Sequence, residues 1–538
     1  MVDAPVETQT HAEIGTWSRL NDRTRPLLVA AIVFVPALLL YMRTLMPDVD
    51  YWDTAEFQAI GPVLGIAHPT GYPAYTLLLW LASVVLQPFG NPAFRADMLS
   101  ALLVAAACAI AAATVTVLTR RLVVGVGVGI CFAVATRVWA IGLHADPHAF
   151  HLFLIALLLL LLVVWADRHA ADQANTDRVL IAAAALFGVS LANHALTLLL
   201  APGIAVYVLM VYPGILRRLR LVAACVGALV LTTVVLYAYL PLRSAMNPLM
   251  DYANPQTWEN FKYVVFGEQF TSTFHGRPAL ADSVRLIATE TWQQLGLLLP
   301  LAALGIVVGF IRRAALMIML LLWFALTWYF DLGYENADIG RYYLVPLMCV
   351  AIVGGIGAGA ILEGAKAVVQ RLAPARRSLA RATFAGLMGV VLILPAVASV
   401  PTHFHATDES TNVGSRAWLD SLATALPPDA LVVSWWSYST PMWYAQYVEG
   451  WRPDVTIIDD RTILDQNLGS AQQVVADNLG KRPVFLIRLP TDYIPFEDQY
   501  EVRTLPGVTG QQLLEIVGPK TNAQSVTGAA RSAAPPNL

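Results

Sequence analysis

Residues 26–57 read PLLVAAIVFVPALLLYMRTLMPDVDYWDTAEF, an apolar run that ends abruptly in a cluster of acids. The run at 26–46 is long enough for a helix to cross a bilayer core, which takes ~20 apolar residues, and too long for the apolar part of a cleaved signal. It predicts an anchor helix behind a polar cytoplasmic segment, 1–25. Asp48, Asp50, Asp53 and Glu56 follow at once, with Tyr51, Trp52 and Phe57 among them. How often the apolar run recurs decides the fold, and the acids are the first place to look for chemistry.

Runs of the same kind recur near 97–119, 122–142, 148–166, 179–196, 197–214, 219–241, 292–311, 314–330, 342–362 and 383–401, about eleven crossings in all. The whole chain agrees: of 538 residues 57% are hydrophobic and 13% charged, which excludes a soluble fold of this size. Its net charge of -3 argues against a nucleic-acid partner. Cys108, Cys131, Cys225 and Cys349 all lie inside apolar runs, as small packing residues rather than a disulfide framework.

A further run, 74–90, is shortened by Pro73, Gln87, Pro88 and Gly90. Cation parity arbitrates. If it does not cross, Arg120, Arg121, Arg168, Arg178, Arg217, Arg218, Arg220, Arg312, Arg313, Lys366, Arg377 and Arg381 collect on one side, as the positive-inside rule requires. It is therefore expected as a juxtamembrane helix on the outer surface. The amino terminus is then cytoplasmic, and the outer face carries loops 47–96 and 242–291 and shorter ones at 143–147 and 331–341. After the membrane domain, 26–401, residues 402–518 are mixed in composition. Strand-like runs at 431–435, 454–458 and 483–487 and a helical stretch at 441–450 predict a small extracytoplasmic α/β domain. The tail, 519–538, is rich in Ala, Ser, Thr, Pro and Asn and is expected to be disordered.

Asp53 and Glu56, at i and i+3, share one helical face, where one carboxylate can take a proton while the other holds a substrate. The same tetrapeptide also fits a capping box, with Asp53 as N-cap and Glu56 reaching back. In AHPTGYP, 67–73, a turn explains the prolines and glycine and leaves His68 and Tyr72 available to a ligand. HADPHAFH, 144–151, sets Asp146 between His144 and His148, which suits either interfacial hydrogen bonds or, with Asp53 or Glu56 added, a divalent metal. Asn193 and His194 lie near the outer end of a crossing, where polar groups point to a cavity. Arg243 and Arg341 stand at outer helix ends against the charge bias. Such guanidiniums fit a lipid-phosphate site, or snorkelling to ordinary headgroups. The Trp- and Tyr-rich segment 434–455 is mostly core, with one or two rings free to stack on a sugar.

WDTAEF and AHPTGYP, with LANHALTLLLAP (191–202), YLPLRSAMNP (239–248), NPQTWENFKYVVFGEQF (254–270), GRYYLVP (340–346) and WYAQYVEGWRPDV (443–455), make the chain resemble a family of polytopic proteins that includes the eukaryotic O-mannosyltransferase of plexin-type receptors. The resemblance runs from about 26 to about 460. It implies a GT-C glycosyltransferase architecture and a sugar donor carried on a polyprenyl phosphate. Asp53 and Glu56 match the family's first-loop acids, Asp146 an acidic position of the second outer loop, and His68 the histidine before its turn. Thr70 stands where the family has a second proline.

The function so implied is transfer of a sugar, mannose or another hexose, to an acceptor hydroxyl on protein, glycan or lipid at the outer face of a bacterial plasma membrane. Asp53 or Glu56 is the expected base, and His68, Tyr72, Asp146, Asn193, His194, Arg243 and Arg341 are the expected substrate contacts. The displacement should invert the anomeric carbon. No organic cofactor is implied and a divalent metal stays open. The rival readings are a transporter or flippase of lipid-linked sugars, for which no inverted repeat is visible, and a non-catalytic scaffold of envelope biogenesis.

Overall fold

The computed structural model describes residues 24–372, 377–487 and 496–520. The apolar runs are helical, because inside a bilayer a segment must satisfy its own backbone polar groups. From the amino terminus they are α1 (Thr24–Thr44), α2 (Trp52–Val63), α3 (Pro73–Val85), α4 (Pro92–Thr119), α5 (Leu122–Ala133), α6 (Thr136–Ile141), α7 (Pro147–Ala170) and α8 (Thr176–Leu191). Then come α9 (Ala201–Val211), α10 (Leu219–Tyr237), α11 (Tyr239–Ser244), α12 (Trp258–Phe266), α13 (Leu280–Leu295), α14 (Leu298–Asp331), α15 (Leu344–Leu372) and α16 (Arg377–Thr407).

Among the described residues seven stretches are long and apolar enough to cross a membrane: 24–44, 92–119, 147–170, 219–244, 298–331, 339–369 and 379–407. The run at 179–196 is the single helix α8, which stops at Leu191, and the others are divided. The run at 122–142 splits into α5 and α6, and that at 197–214 is a 3-10 turn, Ala195–Leu200, continued by α9. The runs at 292–311 and 314–330 share α14, which breaks at Arg313, where φ is −148° and ψ 55°. Gly309 touches Met317 across that break. A straight helix would hold them about 12 Å apart, so the two halves fold back on one another. The run at 74–90 is the short, half-buried α3.

The centre of the bundle is α4 with α15: 72% and 78% of their most apolar windows are buried, against 6% for 219–244. Small residues let α4 and α5 approach closely; a Cβ on Gly129 would come within 2.7 Å of that of Ala112.

The carboxyl-terminal domain holds a five-stranded sheet in the order β2-β1-β3-β5-β4, with β1 (Leu431–Val433), β2 (Thr456–Ile458) and β3 (Val484–Ile487) parallel and β4 (Tyr500–Thr504) and β5 (Leu513–Pro519) antiparallel. The expected strands are β1 to β3, each shorter than its apolar run. The helical stretch is α18 (Trp436–Val448), which follows α17 (Gly414–Ala425). Of the expected disordered tail, 521–538 lies outside the described residues.

This domain is fastened to the outer loops. Ser415 donates to the Asp50 carbonyl at 3.0 Å, Arg416 pairs with Asp48 at 2.8 Å, and the Ala93 amide donates to the Tyr444 hydroxyl at 3.1 Å. In α19 (Asp460–Asp465), the Arg461 guanidinium lies 4.4 Å over the Tyr252 ring. Parts of loops 47–96 and 242–291 are thereby held against the domain.

Candidate active site

The first outer loop enters α2 through Tyr51, which occupies the N-cap position with φ −107° and ψ 177° and gives no side-chain cap. The capping box is thus corrected. Asp53 is the second residue of the helix rather than its cap, and Glu56 turns to His68, so neither carboxylate is used on the helix start. The i and i+3 spacing does bring them to one face: Asp53, Glu56 and His68 each offer an atom, all within 4.8 Å of one another.

His68 is held from twelve residues away. Glu56 Oε1 accepts its backbone N–H at 2.8 Å, and Glu56 Oε2 takes a short hydrogen bond from its Nδ1. The turn after it needs Gly71, whose φ of +79° disfavours other residues and whose Cβ would press on Leu240 and Val264. Tyr72 then packs at 5.3 Å on both Phe57 and the His68 ring.

Burial pushes the Glu56 carboxyl up, partly opposed by His68. Burial alone would push His68 down, but Glu56 and Asp53 outweigh it and lift the imidazole to about 9. Both shifts have the same sign, so the folded pair holds protons more tightly than the unfolded chain. Its contribution is present below an unfolded histidine's 6.5 and is lost as pH rises through about 9. Thermal unfolding of the purified protein is therefore expected to show Tm falling over that interval, by the equivalent of roughly 3 kcal/mol. Glu56→Gln should flatten the slope; a variant slope equal to wild type would assign it to other groups.

The second outer loop supplies Asp146 at the N-cap of α7, where Oδ1 accepts the His148 backbone N–H at 2.7 Å and Nδ1–H at 2.8 Å. Its Oδ2 meets Arg341 NH1 at 3.1 Å. Burial raises this carboxyl, but His148 and Arg341 outweigh it and hold it below the usual carboxylate range. Arg341 is the hub: NH1 also lies 3.8 Å from Asp53, and NH2 lies 3.1 Å from Asp338. Both terminal nitrogens are thus engaged, so in this arrangement the fork is not open for bidentate capture of a phosphate.

Asn193 and His194 join from the end of α8. Asn193 donates to the Pro147 carbonyl at 3.1 Å, and His194 caps the 3-10 turn by accepting from the Leu196 amide at 3.2 Å. Its ring lies 4.5 Å from that of His148 and 5.7 Å from that of Tyr72. Beside them opens a cavity lined by His148, His151, Thr327, Arg341 and Tyr342.

Two expected residues do not assemble here. Arg243 donates to the carbonyls of Leu64 at 2.7 Å and Val63 at 3.1 Å, closing the end of α2. His144 turns to Asp50 at 3.4 Å, so the trio of His144, Asp146 and His148 does not form; among the described residues the group suited to a divalent cation is Asp53, Glu56 and His68. Two residues join that sequence reasoning did not single out. Trp436, from α18, donates its indole N–H to Asp53 Oδ1 at 3.0 Å and sets its ring 6.0 Å from His68. Asp97, fully buried in α4, binds Gln58 of α2 at 3.0 Å and the Ala145 amide at 2.7 Å, locking the first outer loop to the second. A carboxylate inside an apolar run was the available signal for Asp97; Trp436 lay in the Trp- and Tyr-rich segment 434–455, which flagged the segment but not the residue.

Three comparisons bear on this arrangement. Residues 53–213 match the family model described as the Protein O-mannosyl-transferase TMEM260 N-terminal domain. The mouse (Mus musculus) Protein O-mannosyl-transferase TMEM260 is 24% identical over 476 residues, covering 83% of this chain and 64% of the mouse protein. The chain thus spans a little under two thirds of that relative's length. Among solved structures, ArnT from Cupriavidus metallidurans bound to undecaprenyl phosphate superposes with a TM-score of 0.56 at 14% identity, over 92% of this chain and 97% of that one. AglB from Archaeoglobus fulgidus, an archaeal oligosaccharyltransferase in complex with an inhibitory peptide and a dolichol-phosphate, gives 0.55 at 12% identity, over 92% and 74%. The fold is the GT-C fold of a polytopic membrane protein with a small carboxyl-terminal sheet domain, and the resemblance drawn from the motifs holds.

Proposed function

We propose that the protein is an inverting membrane glycosyltransferase that moves a hexose, mannose on the strength of the mouse relative's name, from a polyprenyl-phosphate donor to an acceptor hydroxyl. The observation that carries this reading is the unequal engagement of the two first-loop acids. Glu56 is buried with both oxygens on His68, whereas Asp53 is one-third exposed, with one oxygen on Trp436 and the other facing Arg341. Asp53 is therefore the base and Glu56 orients His68.

The chemistry balances on these groups. The acceptor oxygen attacks the anomeric carbon, its proton passes to Asp53, and the bond from that carbon to the phosphate oxygen breaks, leaving the phosphate on its lipid. The ArnT and AglB structures were determined with polyprenyl-type phosphates, and their fold is this one. Arg341 keeps a guanidinium donor, Nε–H, without a partner among the described residues, and we assign it to the departing phosphate. A divalent cation held by Asp53, Glu56 and His68 would supply further charge stabilisation. The active face is the outer one, of a bacterial plasma membrane, with the amino terminus cytoplasmic, and the acceptor is a protein hydroxyl, as the relative's name suggests.

The test is reconstitution of the purified protein with polyprenyl-phosphate hexose and envelope proteins. Sugar bound covalently to protein, absent without the lipid donor, is the expected result. Movement of intact donor across the bilayer with no transfer would establish the transporter reading instead. Loss of transfer on chelation, restored by a divalent ion, would assign the three-residue group to a cation.

A further inference from the structure

We propose that the carboxyl-terminal domain completes the site, with Trp436 as a positioning residue whose indole N–H fixes the carboxylate of the base, Asp53. The proposal deepens the glycosyltransferase reading and rests on it.

Two adjacent tryptophans leave the sheet with different partners. Just past β1 the Ser434 amide donates to the Ile458 carbonyl of β2 at 2.8 Å, and the Trp435 indole donates to the Ile487 carbonyl of β3 at 3.0 Å. Trp435 is also the N-cap of α18, with φ −120° and ψ 156°, and its carbonyl accepts the Tyr438 and Ser439 amides at 2.9 and 2.8 Å. The backbone at this junction is thus tied to the sheet on one side and to the helix on the other. Trp436, the first residue of α18, reaches out of the domain to Asp53 Oδ1 at 3.0 Å. The helices that carry donor and base, α18 and α2, pack directly on each other.

The ring has little room to turn away. It meets His68, Tyr252 and Trp443 edge to face, at 6.0, 5.7 and 5.9 Å with interplanar angles of 82°, 83° and 78°, an arrangement that aromatic pairs prefer. These neighbours come from the turn after α2, from loop 242–291 and from α18 itself. Tyr252 is held in its turn: its hydroxyl donates to Gln269 Oε1 at 2.6 Å, and its amide donates to the carbonyl of Ile66 at 3.4 Å, two residues before His68. Both large outer loops and the soluble domain therefore meet at one indole.

The chemistry of this donor suits a base. An indole offers one N–H and no acceptor, and it carries no charge. It holds Oδ1 without neutralising the carboxylate as a cation would, and it does not compete for the acceptor's proton. Oδ2, 3.8 Å from Arg341 NH1, is left to take that proton. Packing alone does not call for the N–H, since a plain aromatic ring can fill the same place among His68, Tyr252 and Trp443. Orientation does: a misplacement of about 1 Å can cost a reaction 10²-fold.

Trp436→Phe provides the test, because it keeps an aromatic ring and removes the N–H. Single-turnover transfer from polyprenyl-phosphate hexose would be measured with the full-length protein in nanodiscs. The rate should fall about 10-fold, the worth of one hydrogen bond, with the donor concentration for half-maximal rate unchanged. The deciding measurement is the same substitution in Asp53→Asn. A residue that acts through Asp53 has no base left to position there, so the double variant should turn over at the rate of Asp53→Asn; a residue that shapes the cleft would slow both backgrounds by the same factor. Benzothienylalanine at 436 exchanges the indole N–H for sulfur at nearly constant shape. It should reproduce the Trp436→Phe result, and it covers the case in which that variant does not fold. Equal factors in the two backgrounds, an unchanged rate, or a loss confined to the half-saturating concentration would each overturn the positioning role and leave Asp53 as base. Failure of the underlying reading looks different: wild type that transfers no sugar would withdraw the glycosyltransferase, and Asp53→Asn at the wild-type rate would withdraw the base together with its positioning residue.

Discussion

Asp53→Asn is expected to lower turnover by about 10²-fold or more, the size of a general-base contribution, with little change in stability. The substitution isolates proton transfer. The amide oxygen can still accept the Trp436 indole N–H, now at 3.0 Å from Oδ1, and since the side chain is not a cap, the start of α2 is indifferent to the change. What is lost is the basic oxygen that faces solvent and Arg341. Glu56→Gln should show the opposite balance: it leaves His68 without its carboxylate in a buried place, so stability suffers first and turnover follows through displacement of His68. Single-turnover transfer from a polyprenyl-phosphate hexose, read beside thermal unfolding of the same preparations, separates the two. A normal single-turnover rate in Asp53→Asn would remove it as base and transfer that role to Glu56.

The division between what sequence discloses and what it hides follows the range of the interactions. The long crossings are legible because bilayer thickness sets their length, and β1 to β3 because buried parallel strands are apolar throughout. β4, YEVRT, is largely exposed at the sheet edge and carries no such pattern. The break at Arg313 is equally silent, since both flanks are apolar and only the backbone reversal distinguishes one element from two. At the site, the local motif around Asp53 and Glu56 admits a cap and a catalytic pair alike. The deciding partner of Glu56 is twelve residues away and that of Asp53 is 383. Arg243 and Arg341 are indistinguishable by charge and depth. Only packing shows that the first serves the carbonyls of Val63 and Leu64 and the second the acid cluster. His148 and His151 stood inside a quoted motif, yet their place beside His194 depends on how α7 meets the end of α8.

Arg341→Gln is expected to destabilise the protein by about 3–5 kcal/mol, the cost of removing one partner from a buried ion pair. The magnitude follows from what is left behind. Asp146, 9% exposed at its side chain, would keep its negative charge with only its two hydrogen bonds from His148, and Asp53 and Asp338 would face it across the gap that the guanidinium now fills. Arg341→Lys should fall in between, because one ammonium cannot occupy both positions of a fork that meets Asp146 with one nitrogen and Asp338 with the other. Adding Asp146→Asn to Arg341→Gln removes the stranded charge, so the double variant should recover much of the loss, and the cycle should give a coupling of about 1 kcal/mol or more between the two positions. Turnover should not recover with it if the proposed role is right, since the double variant still lacks the group that faces Asp53 and whose Nε–H is proposed to meet the leaving phosphate. Chemical denaturation in detergent together with donor-dependent transfer measures both halves. If stability and turnover were restored in step, Arg341 would be a structural counter-ion and the phosphate would have to be held elsewhere on the outer face.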